Sequence, residues 1–146
     1  LLRGGRSIEN IDSILEGFYM PRIDPKLASI ICRVATACVD SSDGLAAALN
    51  DIAKASKVSI ILEKIPMPEE LIEYANRNGL DPTKMALFCG EEYELVFTSR
   101  LSEEDIIDIF KRSGVKPPIR VGRVTRGEGV YYAGRKIPRR GWEHFR

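Results

Sequence analysis

Apolar residues recur along this chain in two rhythms, and the points where the rhythm changes mark its elements. Leu45, Leu49 and Ile52 stand three and four apart among alanines, which predicts a helix over residues 43–56. The run before it, Val34-Ala35-Thr36-Ala37-Cys38-Val39, has no helical spacing and predicts a strand that ends at Asp40. Ile8, Ile11, Ile14 and Leu15 predict a short helix over residues 7–15. Asp24-Pro25 opens a second helix through Cys32, with Pro25 suited to its first turn.

Beyond residue 56, Val58-Ser59-Ile60-Ile61-Leu62-Glu63 reads as a strand and Pro66-Met67-Pro68 breaks the chain. A helix over residues 69–78 is closed by Asn78-Gly79, and Asp81-Pro82-Thr83 starts a short helical turn toward Phe88. Residues 93–98 alternate as a strand does, with Tyr93, Leu95 and Phe97 on one face and Glu94 and Val96 on the other. Ser102-Glu103-Glu104-Asp105 caps a helix that stops at Gly114. Pro117-Pro118 precedes a strand over residues 121–125. Gly127-Glu128-Gly129 then turns into Val130-Tyr131-Tyr132 as its hairpin partner. Helices and strands mixed in this order predict an α+β fold, a layered domain with a mixed β-sheet packed by helices. No internal repeat, low-complexity segment or internal linker interrupts it.

The bulk properties narrow the picture modestly. A chain of 146 residues suits a single domain with a real core. Its net charge of +1 gives no argument for nucleic acid or a membrane surface. No apolar run approaches the ~20 residues of a membrane span, and no secretory leader is visible. Cys32, Cys38 and Cys89 lack C-x-x-C spacing, which fits reduced thiols in a cytoplasmic protein; Cys32 and Cys38 lie in apolar runs and are expected in the core. Residues 120–146 hold eight Lys/Arg against Glu128 and Glu143. The expected role of this basic stretch is a solvated face or an intramolecular partner for acidic surface. The lack of an initiator methionine fits a fragment, and also a chain whose start has been processed.

Candidate chemistry concentrates in three places. Asp40-Ser41-Ser42-Asp43-Gly44 puts two carboxylates and two hydroxyls on a strand-to-helix turn, where α/β sheets usually present ligands. Ser42 or Asp43 can serve simply as the helix N-cap. Alternatively, Asp40 and Asp43 are hard oxygen ligands for Mg²⁺, with Ser42 and nearby N–H groups facing a phosphate. Cys89-Gly90-Glu91-Glu92-Tyr93-Glu94 is a second acidic turn, either an exposed loop or one that sends a glutamate into a cleft. Near the end, Gly141-Trp142-Glu143-His144-Phe145 holds the only Trp and the only His. Trp142 either docks on the core or offers a flat surface to a heteroaromatic ligand. Walker, dinucleotide-fingerprint, zincin and nucleophile-elbow motifs are all missing, so phosphate chemistry here would need metal-bridged carboxylates.

Taken together, Val39-Asp40-Ser41-Ser42-Asp43-Gly44-Leu45, Gly90-Glu91-Glu92-Tyr93-Glu94-Leu95-Val96-Phe97-Thr98 and Gly141-Trp142-Glu143-His144-Phe145 resemble the thiamine-monophosphate kinases. These belong to the aminoimidazole ribonucleotide synthetase-like ATP-binding superfamily. The resemblance covers essentially the whole chain but roughly the C-terminal half of the family. It implies the fold of that C-terminal domain and transfer of the ATP γ-phosphoryl group to thiamine monophosphate, without a covalent enzyme intermediate. Carried over by position, Asp40 and Asp43 resemble Mg²⁺ ligands, with Asp40 also helping to bring the two phosphates together. Ser42 resembles an ATP-phosphate contact, Glu91 a substrate contact and Trp142 the aromatic partner of thiamine. Ser41, Cys89 and Glu92 stand where an apolar residue, glycine and aspartate are commoner. The resemblance further implies an N-terminal ATP-binding domain outside this chain, a homodimer of the full-length protein, and no activity from these residues alone. Two other readings stay open: a domain of a different enzyme of the superfamily, and a non-catalytic binding module.

Overall fold

The computed structural model describes residues 25–90 and 94–140. The helix expected over residues 7–15, the loop residues Glu91, Glu92 and Tyr93, and the tail with Trp142 and His144 lie outside the described residues. In chain order the elements are α1 (Pro25–Val34), β1 (Ala35–Asp40), α2 (Leu45–Ser56), β2 (Ser59–Leu62), α3 (Glu69–Arg77) and α4 (Pro82–Phe88). They continue with β3 (Leu95–Ser99), α5 (Glu103–Arg112), β4 (Gly122–Thr125), β5 (Gly129–Tyr132) and β6 (Arg135–Ile137). The class is α+β, as expected.

The strands form a mixed sheet ordered β4-β2-β5-β6 and a separate antiparallel pair, β1 with β3. Here the structure corrects one pairing. β4 and β5 are not hairpin partners: β2 lies between them, antiparallel to β4 and parallel to β5. β2 is the apolar strand, with Ile60 and Leu62 only 3% exposed, so it takes the middle position where both edges are covered. The hairpin is formed by β5 and β6 instead. Ala133 and Gly134, both with positive φ, make its two-residue turn.

Two hydrophobic clusters flank the β1–β3 pair. The larger packs Leu45, Leu49 and Ile52 of α2 onto Ile60 and Leu62 of β2, Leu87 of α4 and Val130 of β5. The smaller joins Ile30, Ile31 and Val34 of α1 to Ile106 and Phe110 of α5. Val39 and Val96 face the first cluster and Phe97 the second, where its ring stacks on Phe110 at 6.4 Å. The pair is therefore gripped from both sides, and its Asp40 end is held on a rigid base.

Cys32 and Cys38 are exposed, contrary to the expectation that they are core residues. Helix α1 buries the stripe Ile30, Ile31 and Val34, and Cys32 falls off it. Along β1 the alternation turns Ala35, Ala37 and Val39 inward and Thr36, Cys38 and Asp40 outward.

Candidate functional site

The turn between β1 and α2 is built from backbone contacts that only small residues permit. Gly44 is the N-cap of α2 with φ 98°, a conformation that side chains rarely adopt. A Cβ on Gly44 would lie 3.0 Å from the Cys89 carbonyl oxygen at the end of α4. A Cβ on Gly90 would lie 2.1 Å from the Ser42 carbonyl oxygen. Each glycine lets one acidic turn press its backbone against the other.

Ser41 completes the junction. It is 2% exposed, and its N–H donates to the Glu94 carbonyl at 2.9 Å. Its Oγ accepts the Glu94 N–H at 3.1 Å, and its carbonyl accepts the Gly44 N–H at 2.8 Å. Gly90 and Glu94 bracket residues 91–93, so both feet of the second acidic turn stand on the first. The sequence marks Ser41 only as a departure from an apolar position. Burial makes it a joint, because a buried hydroxyl and the amide it faces each need a partner.

The side chains expected to carry chemistry are not used to start the helix. No side chain caps α2, so neither Ser42 nor Asp43 is the capping group. Asp40 accepts the Ser42 N–H at 3.3 Å. Its carboxyl is held below the ordinary aspartate value, first by the Ser42 hydroxyl, against a smaller opposing effect of burial, with the Ser42 amide adding to the lowering. Asp40 is therefore a persistent anion at an exposed strand end. Asp43, half-buried, has the Arg139 guanidinium 4.0 Å from its Oδ2. Arg139 is read from the sequence only as part of a basic tail, and no local pattern singles it out.

Mg²⁺ commonly binds through one or two carboxylates while the remaining positions go to water and substrate phosphate. Two aspartates on one turn, one held ionised, fit that mode. Among the described residues no group of three or more His, Cys, Asp or Glu forms a self-sufficient metal cage. Among the same residues no helix is long and apolar enough to cross a membrane. Asp40, Ser42 and Asp43 thus share one turn, with the Ser42 N–H on the Asp40 carboxylate and Arg139 beside Asp43. Glu91 and Trp142 fall outside the described residues, although Glu91 directly follows the packed Gly90.

Known proteins match this chain along most of its length. Residues 17–133 match the family of AIR synthase related proteins, in its C-terminal domain. The thiamine-monophosphate kinase of Aquifex aeolicus is 38% identical over 118 residues, covering 79% of this chain and 36% of that protein. That of Pyrococcus horikoshii is 36% identical over 139 residues, covering 91% of this chain and 41% of its own. Among solved structures, thiamine monophosphate kinase from Aquifex aeolicus superposes with a TM-score of 0.71 at 32% identity, over 86% of this chain and 40% of that one. A structure described as AaThiL complexed with AMPPCP and TMP gives 0.66 at 32% identity, over 91% and 46%. The chain spans roughly two fifths of the length of the curated relatives it matches. With well over half of its residues inside the family match, the chain belongs to the AIR synthase related proteins and carries their C-terminal domain.

Proposed function

We propose that this domain forms one wall of a kinase active site that transfers the ATP γ-phosphoryl group to thiamine monophosphate, giving thiamine diphosphate and ADP. The observation that carries the reading is the turn at residues 40–44, whose acids cap no helix and stand beside a glycine-packed second acidic turn. Relatives named thiamine-monophosphate kinase, and a related structure with AMPPCP and TMP, support the substrate class.

In this reading a phosphate oxygen of thiamine monophosphate attacks the γ-phosphorus, and the bond to the β–γ bridging oxygen breaks. Asp40 and Asp43 would hold Mg²⁺, which when bound neutralises charge on the phosphates. Ser42 supplies a hydroxyl to the ATP phosphates. Glu91, beyond Gly90, contacts the acceptor substrate, and Trp142 stacks on the thiamine moiety. The protein works by positioning, because phosphoryl transfer leaves it little covalent chemistry to perform.

Two carboxylates do not make a complete centre for several Mg²⁺ ions. An N-terminal ATP-binding domain therefore provides the facing wall in the full-length cytoplasmic protein, which acts as a homodimer. The test is thiamine diphosphate formation from ATP, Mg²⁺ and thiamine monophosphate. The full-length protein should turn over and residues 1–146 alone should not. Product from the isolated domain would overturn the shared-site reading, and no product from the full-length protein would overturn the kinase reading.

A further inference from the structure

Helix α2 holds the chain leaving β6 at two successive points. Asn50 Nδ2 donates to the Ile137 carbonyl at 3.3 Å while also donating to the Ala46 carbonyl at 2.8 Å. At the next helix position, Asp51 takes the Arg139 guanidinium in a fork, with Nε 2.7 Å from Oδ1 and Nη2 3.0 Å from Oδ2. The same Nη2 faces a second carboxylate, with Asp43 Oδ2 4.0 Å away. Two aspartates therefore share one guanidinium nitrogen, and Asp51 is the nearer.

At 4.0 Å the Nη2 of Arg139 is too far from Asp43 Oδ2 for a hydrogen bond, but a shift of about 1 Å would close that gap. An arginine bonded to Asp43 would occupy lone pairs that a hard cation needs and set a positive charge against that cation. The fork onto Asp51 engages the very nitrogen that faces Asp43, and its planar geometry fixes the guanidinium in one orientation. The Arg139 and Asp51 side chains are 50% and 42% exposed, so their pairing contributes little to folding stability. What it fixes is where the guanidinium sits.

We propose that Asp51 is a positioning residue that acts through Arg139: by forking the guanidinium it keeps Nη2 off Asp43 and leaves that carboxylate open to a divalent cation. The proposal rests on the reading of Asp43 as an Mg²⁺ ligand. It makes Arg139 a restrained competitor of the metal.

The test is Mn²⁺ binding to the full-length protein without nucleotide, followed by electron paramagnetic resonance. Mn²⁺ suits the same carboxylate ligands as Mg²⁺. Asp43→Asn identifies the binding step that depends on Asp43. Asp51→Ala should weaken that step about tenfold, the lower end of what outer-shell partners contribute, while the melting temperature hardly moves. Arg139→Ala should bind Mn²⁺ at least as tightly as the wild type. The double variant Asp51→Ala/Arg139→Ala should match Arg139→Ala, because without the competitor Asp51 has nothing to restrain. Unchanged Mn²⁺ affinity in Asp51→Ala would overturn the proposal. So would a weakening that persists in the double variant, since Asp51 would then act by its own charge. Weaker binding in Arg139→Ala would overturn it as well, by making the arginine a support of the site. If Asp43→Asn leaves every Mn²⁺ step unchanged, the reading of Asp43 as a ligand falls, and the role of Asp51 falls with it.

Discussion

Two helices of this domain begin in nearly the same vocabulary and use it oppositely. Helix α5 starts at Ser102-Glu103-Glu104-Asp105, and helix α2 follows Ser41-Ser42-Asp43-Gly44. At α5 the polar groups complete the helix. Ser102 Oγ accepts the Asp105 N–H at 3.1 Å and donates to the Asp105 carboxylate at 2.9 Å. Glu103 is engaged by Arg120, which also reaches Glu63. At α2 a glycine takes the cap position and no side chain closes the helix. Ser41 turns away to Glu94, and Asp40 is kept ionised by Ser42. Acids beside a helix start are thus informative only when the helix does not need them, and that depends on which atoms accept the first N–H groups.

The strongest way to break this contrast is to exchange charge for shape at each start. Asp43→Asn keeps the volume and removes a hard anionic ligand. In the full-length protein it should lower kcat by about a hundredfold or more, since even outer-shell partners of metal ligands are worth 10–100-fold. Its melting temperature should hardly move, because Asp43 caps nothing. Ser102→Ala should do the reverse, costing about 1 kcal/mol of stability as a lost cap while kcat stays unchanged. Steady-state kinetics across a Mg²⁺ titration, with denaturant unfolding alongside, separates the two. Equal kinetic losses in both variants would erase the distinction.

A second contrast sets contact against backbone strain. Gly90 does not adopt a positive φ, yet a Cβ there would lie 2.1 Å from backbone at Ser42. Gly114, after α5, has φ 69° and open space around it. Gly114→Ala should cost about 1 kcal/mol, from left-handed strain alone. Gly90→Ala should cost about 3 kcal/mol, the upper end of overpacking penalties, and should lower turnover by moving the two acidic turns apart. Chemical unfolding of both variants measures the gap, and equal losses would mean that the junction is not tight. Ser41→Ala probes the same joint more gently. It leaves the Glu94 N–H without its acceptor, for a loss of about 1–2 kcal/mol.

These contacts explain which features were legible beforehand. The spacing of Leu45, Leu49 and Ile52 and the Ser102 cap are local signals, and both helices appear where they point. The acidic turn was equally visible, being four consecutive polar residues after an apolar run. Strand order was not, because a turn such as Gly127-Glu128-Gly129 says where the chain bends and nothing about which strand it meets. The exposure of Cys38 was hidden for a related reason: alternation fixes parity along β1 but not which parity faces the core. The grip of Ser41 on Glu94 joins positions 53 apart and has no local trace. Arg139 and Asp51, 88 apart, are a similar case.

The finest version of the helix-start contrast is Ser42→Ala. Ser42 makes no capping bond, so the substitution should change stability by less than about 0.5 kcal/mol, whereas Ser102→Ala loses a cap. Its effect should fall instead on Asp40, whose carboxyl is lowered chiefly by the Ser42 hydroxyl. The sign follows from the direction of that shift. A depressed carboxyl contributes stability above its unfolded value, and that contribution is lost as pH falls through the lower folded value. Without the hydroxyl, the folded value moves up toward the unfolded one, and the window between them narrows. Metal-free carboxyl NMR titration should therefore show Asp40 protonating at higher pH in Ser42→Ala than in the wild type. The Ser42 amide keeps the shift from vanishing. Identical titration curves would mean that the hydroxyl does not serve Asp40.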